Sequence, residues 1–70
     1  MMISEIEKNL KEKIRVSIEE YRNSRFLDCR VYWKDEQGEW RPSKKGIALN
    51  CQCIDQVIEA LQKASKKLTG

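Results

Sequence analysis

Histidine is absent from this chain, which removes any Ser–His or Cys–His nucleophilic pair and the imidazole ligands of most zinc sites. Cysteine is scarce and odd in number. Cys29, Cys51 and Cys53 cannot form a closed disulfide framework, and Cys51-x-Cys53 with Cys29 falls one ligand short of a structural zinc site. The expectation is three reduced thiols, with no metal and no cofactor. With three glycines and one proline, the chain has no glycine-rich phosphate loop, no linker and no low-complexity tract. No apolar run approaches the length that spans a bilayer, and Met1-Met2-Ile3-Ser4-Glu5-Ile6 is too acidic for a signal-peptide core. These absences point to a soluble protein that is not an enzyme. Its expected place is the cytoplasm, with the nucleoid, in a prokaryote or virus, and the nucleus in a eukaryote.

At 70 residues the chain is one domain, and a domain this short buries too little surface for comfortable stability alone. With disulfides and metals set aside, oligomerisation is the remaining source of stability. The net charge of +3 is mild, but its distribution is uneven. Residues 13–50 carry nine Lys and Arg against six Asp and Glu, and most of the aromatic residues fall in the same stretch. A basic surface attracts a polyanion over long range, and aromatic rings offer stacking platforms for bases.

Ile3, Ile6 and Leu10 have helical spacing, so residues 1–12 read as a short helical or frayed lead-in to a domain over 13–70. From Lys13 the period becomes two. Ile14, Val16 and Ile18 alternate with Arg15, Ser17 and Glu19 in a first strand that ends near Tyr21. Asn23-Ser24 supplies a turn. A second strand, 25–34, puts Leu27, Cys29, Val31 and Trp33 on one face and Phe26, Asp28, Arg30 and Tyr32 on the other. A short third strand, 39–41, stops at Pro42; Ser43-Lys44-Lys45-Gly46 reads as a turn, and Ile47-Ala48-Leu49 as a fourth strand. Asn50 is a good N-cap for an amphipathic helix carrying Ile54, Val57, Ile58, Leu61 and Leu68 on one side. The expected architecture is therefore α+β: a four-stranded antiparallel sheet followed by one C-terminal helix that covers it, with pairing across a two-fold axis to form a homodimer.

The segment Gly38-Glu39-Trp40-Arg41-Pro42-Ser43-Lys44-Lys45-Gly46-Ile47-Ala48-Leu49-Asn50 resembles the signature of the positive cofactor four family of transcriptional coactivators. Arg15-Val16-Ser17-Ile18 and Asp28-Cys29-Arg30-Val31-Tyr32-Trp33 fit the first two strands of that family at matching spacing, so the resemblance covers about residues 13–61. It implies a β-β-β-β-α protomer that dimerises and binds single-stranded DNA with little sequence preference, in transcription regulation, replication or repair. It also implies base contacts at Tyr21 and Trp33 and basic contacts at Arg22, Arg30, Lys44 and Lys45. The chain departs from the family pattern at Glu19-Glu20, where a basic residue is frequent. It departs again at Asn23, and at Cys51-Gln52-Cys53-Ile54, where Pro-Glu-Gln-Trp is common.

The residues alone admit plainer readings. Trp33 shares strand parity with Leu27, Cys29 and Val31, so alternation places it in the core, whereas the resemblance makes it a stacking platform. Arg30 can pair with Asp28 or contact phosphate. Lys44 and Lys45 can simply solvate a turn, and Trp40 reads as core or dimer interface. Two other functions share this surface: RNA binding, and a structural dimer whose sheet face binds another protein.

Overall fold

The computed structural model describes all residues 1–70 and contains four strands followed by one helix: β1 Met2–Glu7, β2 Glu12–Tyr21, β3 Ser24–Lys34, β4 Trp40–Leu49 and α1 Ile54–Thr69. The sheet is antiparallel throughout, in the order β1-β2-β3-β4. The expected fold class is present, but two of its four strands are not those the sequence suggested.

The lead-in is not helical. Residues 2–7 form β1, which pairs with β2 so that Ile6 lies opposite Ile14 and Glu5 opposite Arg15. The helical spacing of Ile3, Ile6 and Leu10 competes with a period-two pattern in which Glu5 and Glu7 share one face. The ladder and the ion pairs from Glu5 to Lys13 and Arg15 favour the second. Leu10 takes no part in a core; it stands 95 % exposed at the tip of the β1–β2 turn. Asn9 Oδ1 closes that turn by accepting the Lys11 N–H at 2.9 Å.

The expected third and fourth strands are one continuous strand. β4 runs through Pro42 because it is a sheet edge, where a missing N–H leaves no ladder bond unmade. What read as a turn at Ser43-Lys44-Lys45 is a bulge. Gly46 lies opposite Arg30 and Pro42 opposite Tyr32, so three β4 residues face the single Val31.

The β2–β3 connection is the tightest in the chain. Arg22 and Asn23 both have positive φ, +51° and +66°, the conformation of a two-residue hairpin whose twist matches its strands. Asn tolerates this region through its short polar side chain.

The helix begins later than Asn50 suggested. Asn50 Oδ1 accepts the N–H groups of Gln52 and Cys53 at 3.0 and 3.2 Å, capping the turn over 51–53, and α1 proper starts at Ile54. Nor does α1 lie on its own sheet: the strands pack against one another, and the helix leads away from them. Only Ile54 and Val57 are partly covered, at its start, while Leu61 and Leu68 are 64 % and 86 % exposed.

Register divides the sheet into two faces. One carries Ile6, Ile14, Val16, Ile18, Leu27, Cys29, Val31, Ile47 and Leu49; the other carries Glu5, Lys13, Arg15, Ser17, Asp28, Arg30 and Tyr32. The apolar face is uncovered, and no residue of the protomer is fully buried.

The hairpin turn gives a direct test of this geometry. Asn23→Gly is expected to leave stability unchanged or slightly raised. Asn23→Val is expected to lower it by about 1–2 kcal/mol, the cost of forcing a branched side chain into the left-handed region. Denaturant unfolding of the two variants measures both.

Candidate nucleic-acid interface

Trp33 ends β3 on the apolar parity, yet it is 44 % exposed because it lies at the edge of that face, beyond the aliphatic rows. Its neighbours across the sheet are Glu12 on β2 and Arg41 on β4. The Asn9 amide, then Lys8 and, more weakly, the charge of Lys45 hold the Glu12 carboxyl below its usual range. Glu12, Trp33 and Arg41 thus lie side by side at one end of the β2–β3–β4 surface. Arg41 itself is tied to Asp35, with Nε donating at 2.9 Å.

Tyr21 and Arg22 lie at the opposite end. Tyr21 pairs with Ser24 at the hairpin turn, nine residues along β3 from Trp33, a separation of about 30 Å along the strand. Tyr21 also shares parity with Arg15 and Ser17, so it is on the other face of the sheet from Trp33. Its ring is 64 % exposed and carries the Arg22 guanidinium 5.2 Å from its centroid. Within one protomer, the two expected base platforms therefore form two separate sites.

Arg30 takes the first of its two readings. Its Nε and Nη2 donate to the Asp28 carboxylate at 3.2 and 3.1 Å, and Nη1 donates to the Ser43 carbonyl at 2.9 Å. The hydrogen bonds and charge of Asp28 raise its pKa further above that of an ordinary arginine. Lys44 and Lys45 are both exposed on the β4 bulge, and neither they nor Arg22 take part in an ion pair.

Trp40 is not in a core. It is half-buried on the polar face, with the Lys13 ammonium 4.2 Å from its ring centroid and Lys34 at 6.0 Å. Arg15 lies 4.3 Å over the Tyr32 ring on the same face. Strand parity alone places Lys13, Arg15 and Tyr32 together. The Trp40 stack needs the β3–β4 register, which puts Trp40 opposite Lys34 and which the sequence does not display.

Comparison with known proteins adds to this geometry. Residues 8–60 match the profile of the family described as Transcriptional Coactivator p15 (PC4). The chain belongs to that family. It is 37 % identical over 46 residues to the RNA polymerase II transcriptional coactivator SUB1 of Saccharomyces cerevisiae, a match that covers 64 % of the chain and 16 % of the yeast protein. The chain thus spans a small part of that relative's length. Its structure superposes on the PC4 homologue of Burkholderia pseudomallei with a TM-score of 0.88, at 32 % identity, over 93 % of this chain and 96 % of that one. A bacteriophage T5 homologue of PC4, described as implicated in recombination-dependent DNA replication, shares the fold with a TM-score of 0.70. That match is 20 % identical and covers 100 % of this chain and 96 % of the phage chain.

The carboxylates around the sheet ends give a pH prediction. Arg41, followed by the Glu39 and Gln37 backbone N–H groups, holds Asp35 below the usual carboxylate range; Lys13 and then Arg15 do the same for Glu5. A depressed folded pKa contributes stability that is complete above the ordinary value and is lost as pH falls through the lowered one. Thermal stability should therefore decline from about pH 5 downward. Asp35→Asn should flatten part of that decline while lowering stability at neutral pH, as melting curves across the acid range would show.

Proposed function

We propose that this PC4-family protein binds single-stranded DNA as a homodimer, with little sequence preference, through aromatic stacking and phosphate contacts. The observation that carries this reading is the exposure of two rings near cations in no ion pair: Tyr21 under the Arg22 guanidinium, and Trp33 two residues along β3 from Val31, which faces the bulge that carries Lys44 and Lys45. Every base has a π-face, so such platforms tolerate sequence, and a duplex hides those faces. Lys44, Lys45 and Arg22 neutralise phosphates, with release of counterions. Arg30 lies on the polar face, which Tyr21 shares and Trp33 does not, with its charge already answered by Asp28. Transcription, replication and repair all expose unpaired DNA, and the described roles of the relatives fall within them.

Exposed area supports the dimer. A compact protein of this mass, 8.3 kDa, exposes about 4,600 Å², whereas this protomer exposes 6157 Å². Its radius of gyration is 13.9 Å against about 11 Å for a compact chain of this length. The excess, about 1,600 Å² per protomer, is what an obligate dimer of roughly twice that total would bury. The occupant must be apolar, because Ile18, Leu27 and Leu49 line a groove of ≈ 490 Å³ beside Ile54, with the Ile58 and Leu61 stripe of α1 free beyond it. A second copy supplies such a helix. Sedimentation should show a dimer at micromolar concentration, and Leu61→Asp should yield a destabilised monomer; a stable wild-type monomer rules the assembly out.

Titration of tryptophan fluorescence with single-stranded DNA, its duplex and matched RNA tests the function. Single-stranded DNA should bind best and quench. Trp33→Ala should weaken binding by about 1–3 kcal/mol. Lys44→Ala with Lys45→Ala should reduce the slope of log affinity against log salt by about 1.4, the value for two single-strand phosphates no longer neutralised. Preference for RNA would move the assignment to the RNA-binding form of this surface. Silence toward all three would leave the sheet as a protein-binding face.

A further inference from the structure

We propose that Arg30 is a positioning residue for the nucleic-acid site: it holds the β4 bulge that presents Lys44 and Lys45, and it is not itself a phosphate contact. The proposal rests on Lys44 and Lys45 being phosphate contacts, as argued above.

The bulge is a built structure. Three residues, Ser43 to Lys45, are fitted opposite Val31, and the ladder they interrupt is repaired by side chains. Ser43 Oγ donates to the Val31 carbonyl at 2.7 Å and accepts the Lys45 N–H at 3.0 Å. The Ser43 carbonyl, turned out of the ladder, receives Arg30 Nη1 at 2.9 Å. Arg30 thus fastens β3 to the middle of the bulge, and Asp28 fixes Arg30 in turn through two parallel bonds at 3.2 and 3.1 Å. A planar fork with donors on three nitrogens can bridge a carboxylate and a carbonyl in this way, and a lysine cannot.

Gly46 belongs to the same device. A Cβ there would lie 2.8 Å from Arg30 Cζ and 2.9 Å from Nη1, so the guanidinium occupies the space a side chain at 46 would need. The side chain can reach Ser43 only because residue 46 has no side chain of its own.

Electrostatics agree with this division of labour. Arg30 has spent three of its five N–H groups within the protein, and a carboxylate at 3.1 Å offsets its charge. A phosphate would gain little from it. Lys44 and Lys45, one and two residues along from Ser43, are exposed and in no ion pair.

Asp28→Asn separates the two roles because they predict opposite signs. It makes the protein one charge more positive and frees Arg30. If Arg30 contacts phosphate, single-stranded DNA binds more tightly. If Arg30 positions the bulge, binding weakens despite the added charge, roughly three- to tenfold, as Lys44 and Lys45 no longer meet the phosphates they neutralise. Arg30→Lys, which preserves charge, is expected to weaken binding to the same degree, and to cause no further weakening in a Lys44→Ala, Lys45→Ala background. Ser43→Ala removes one hydroxyl on an edge strand, and should weaken binding and speed hydrogen exchange of the Lys45 amide together. It keeps the test decisive if Asp28→Asn fails to fold. The measurements use the full chain, with oligomeric state checked by sedimentation. If Lys44→Ala with Lys45→Ala leaves binding unchanged, the site reading itself falls. If that pair matters but Asp28→Asn tightens binding, or Arg30→Lys retains wild-type affinity, or Ser43→Ala moves only the amide exchange, the positioning role is overturned.

Discussion

The constraint on which this structure depends is an apolar sheet face with nothing on it. A two-layer domain normally covers such a face with its own helix. Here α1 leaves the sheet after Ile54 and Val57, and the rows from Ile14 to Ile18, Leu27 to Val31, and Ile47 to Leu49 stay open. The hydrophobic effect scales with area removed from water, so a chain with no fully buried residue has little of its main driving force within one copy. The apolar stripe of α1, with Ile58, Leu61 and Leu68, is left as open as the sheet face. Trp33 stands at the margin of that open face, 44 % exposed.

The polar face solves a different problem. Tyr32 and Trp40 would be apolar surface on the solvent side, but Arg15 and Lys13 lie over their rings. Both cations also bond to Glu5 on β1. One carboxylate therefore fixes two cations, each of which shields an aromatic face, and the ladder from β1 to β4 is stitched across its width. Surface ion pairs taken singly contribute little; shared in a network with fixed geometry they gain more, because each added bond orders fewer new side chains. The same network explains why residues 2–7 are a strand: Glu5 reaches Lys13 and Arg15 only in extended register.

The sequence was most legible where period-two alternation is long. β2 and β3 were readable almost to the residue because ten or more positions agree. β1 was hidden because Ile3 and Ile6, three apart, fit a helix and fall on opposite parities of a strand; the register shift between Met2 and Ser4 appears only with a partner strand. β4 was split by Pro42 and by Ser-Lys-Lys-Gly, signals for a turn that here mark an edge strand and a bulge; both effects depend on what lies alongside, which local chemistry does not encode. The helix cap was displaced because Asn50 binds two N–H groups of a preceding turn. For the site, the residue types were legible, and the grouping was not. Strand parity did put Tyr21 and Trp33 on opposite faces, but the pairing of Arg30 with Asp28 needed rotamers, and the placing of Lys44 and Lys45 needed the bulge.

Net charge was a poor guide because it counts cations that are already used. Among the nine basic residues of 13–50, Lys13, Arg15, Arg30 and Arg41 are engaged by carboxylates, and Arg22, Arg25, Lys34, Lys44 and Lys45 are in no ion pair. The engaged set is mid-strand or anchored at a turn, holding register and rings. The free set lies at the hairpin ends and on the bulge, beside Tyr21 and Trp33. A polyanion senses the second set, since a paired cation presents a dipole whose field falls off faster than that of a lone charge. The mild overall balance thus conceals two separate groups of unpaired cations, one at the β2–β3 hairpin turn beside Tyr21 and one on the β4 bulge.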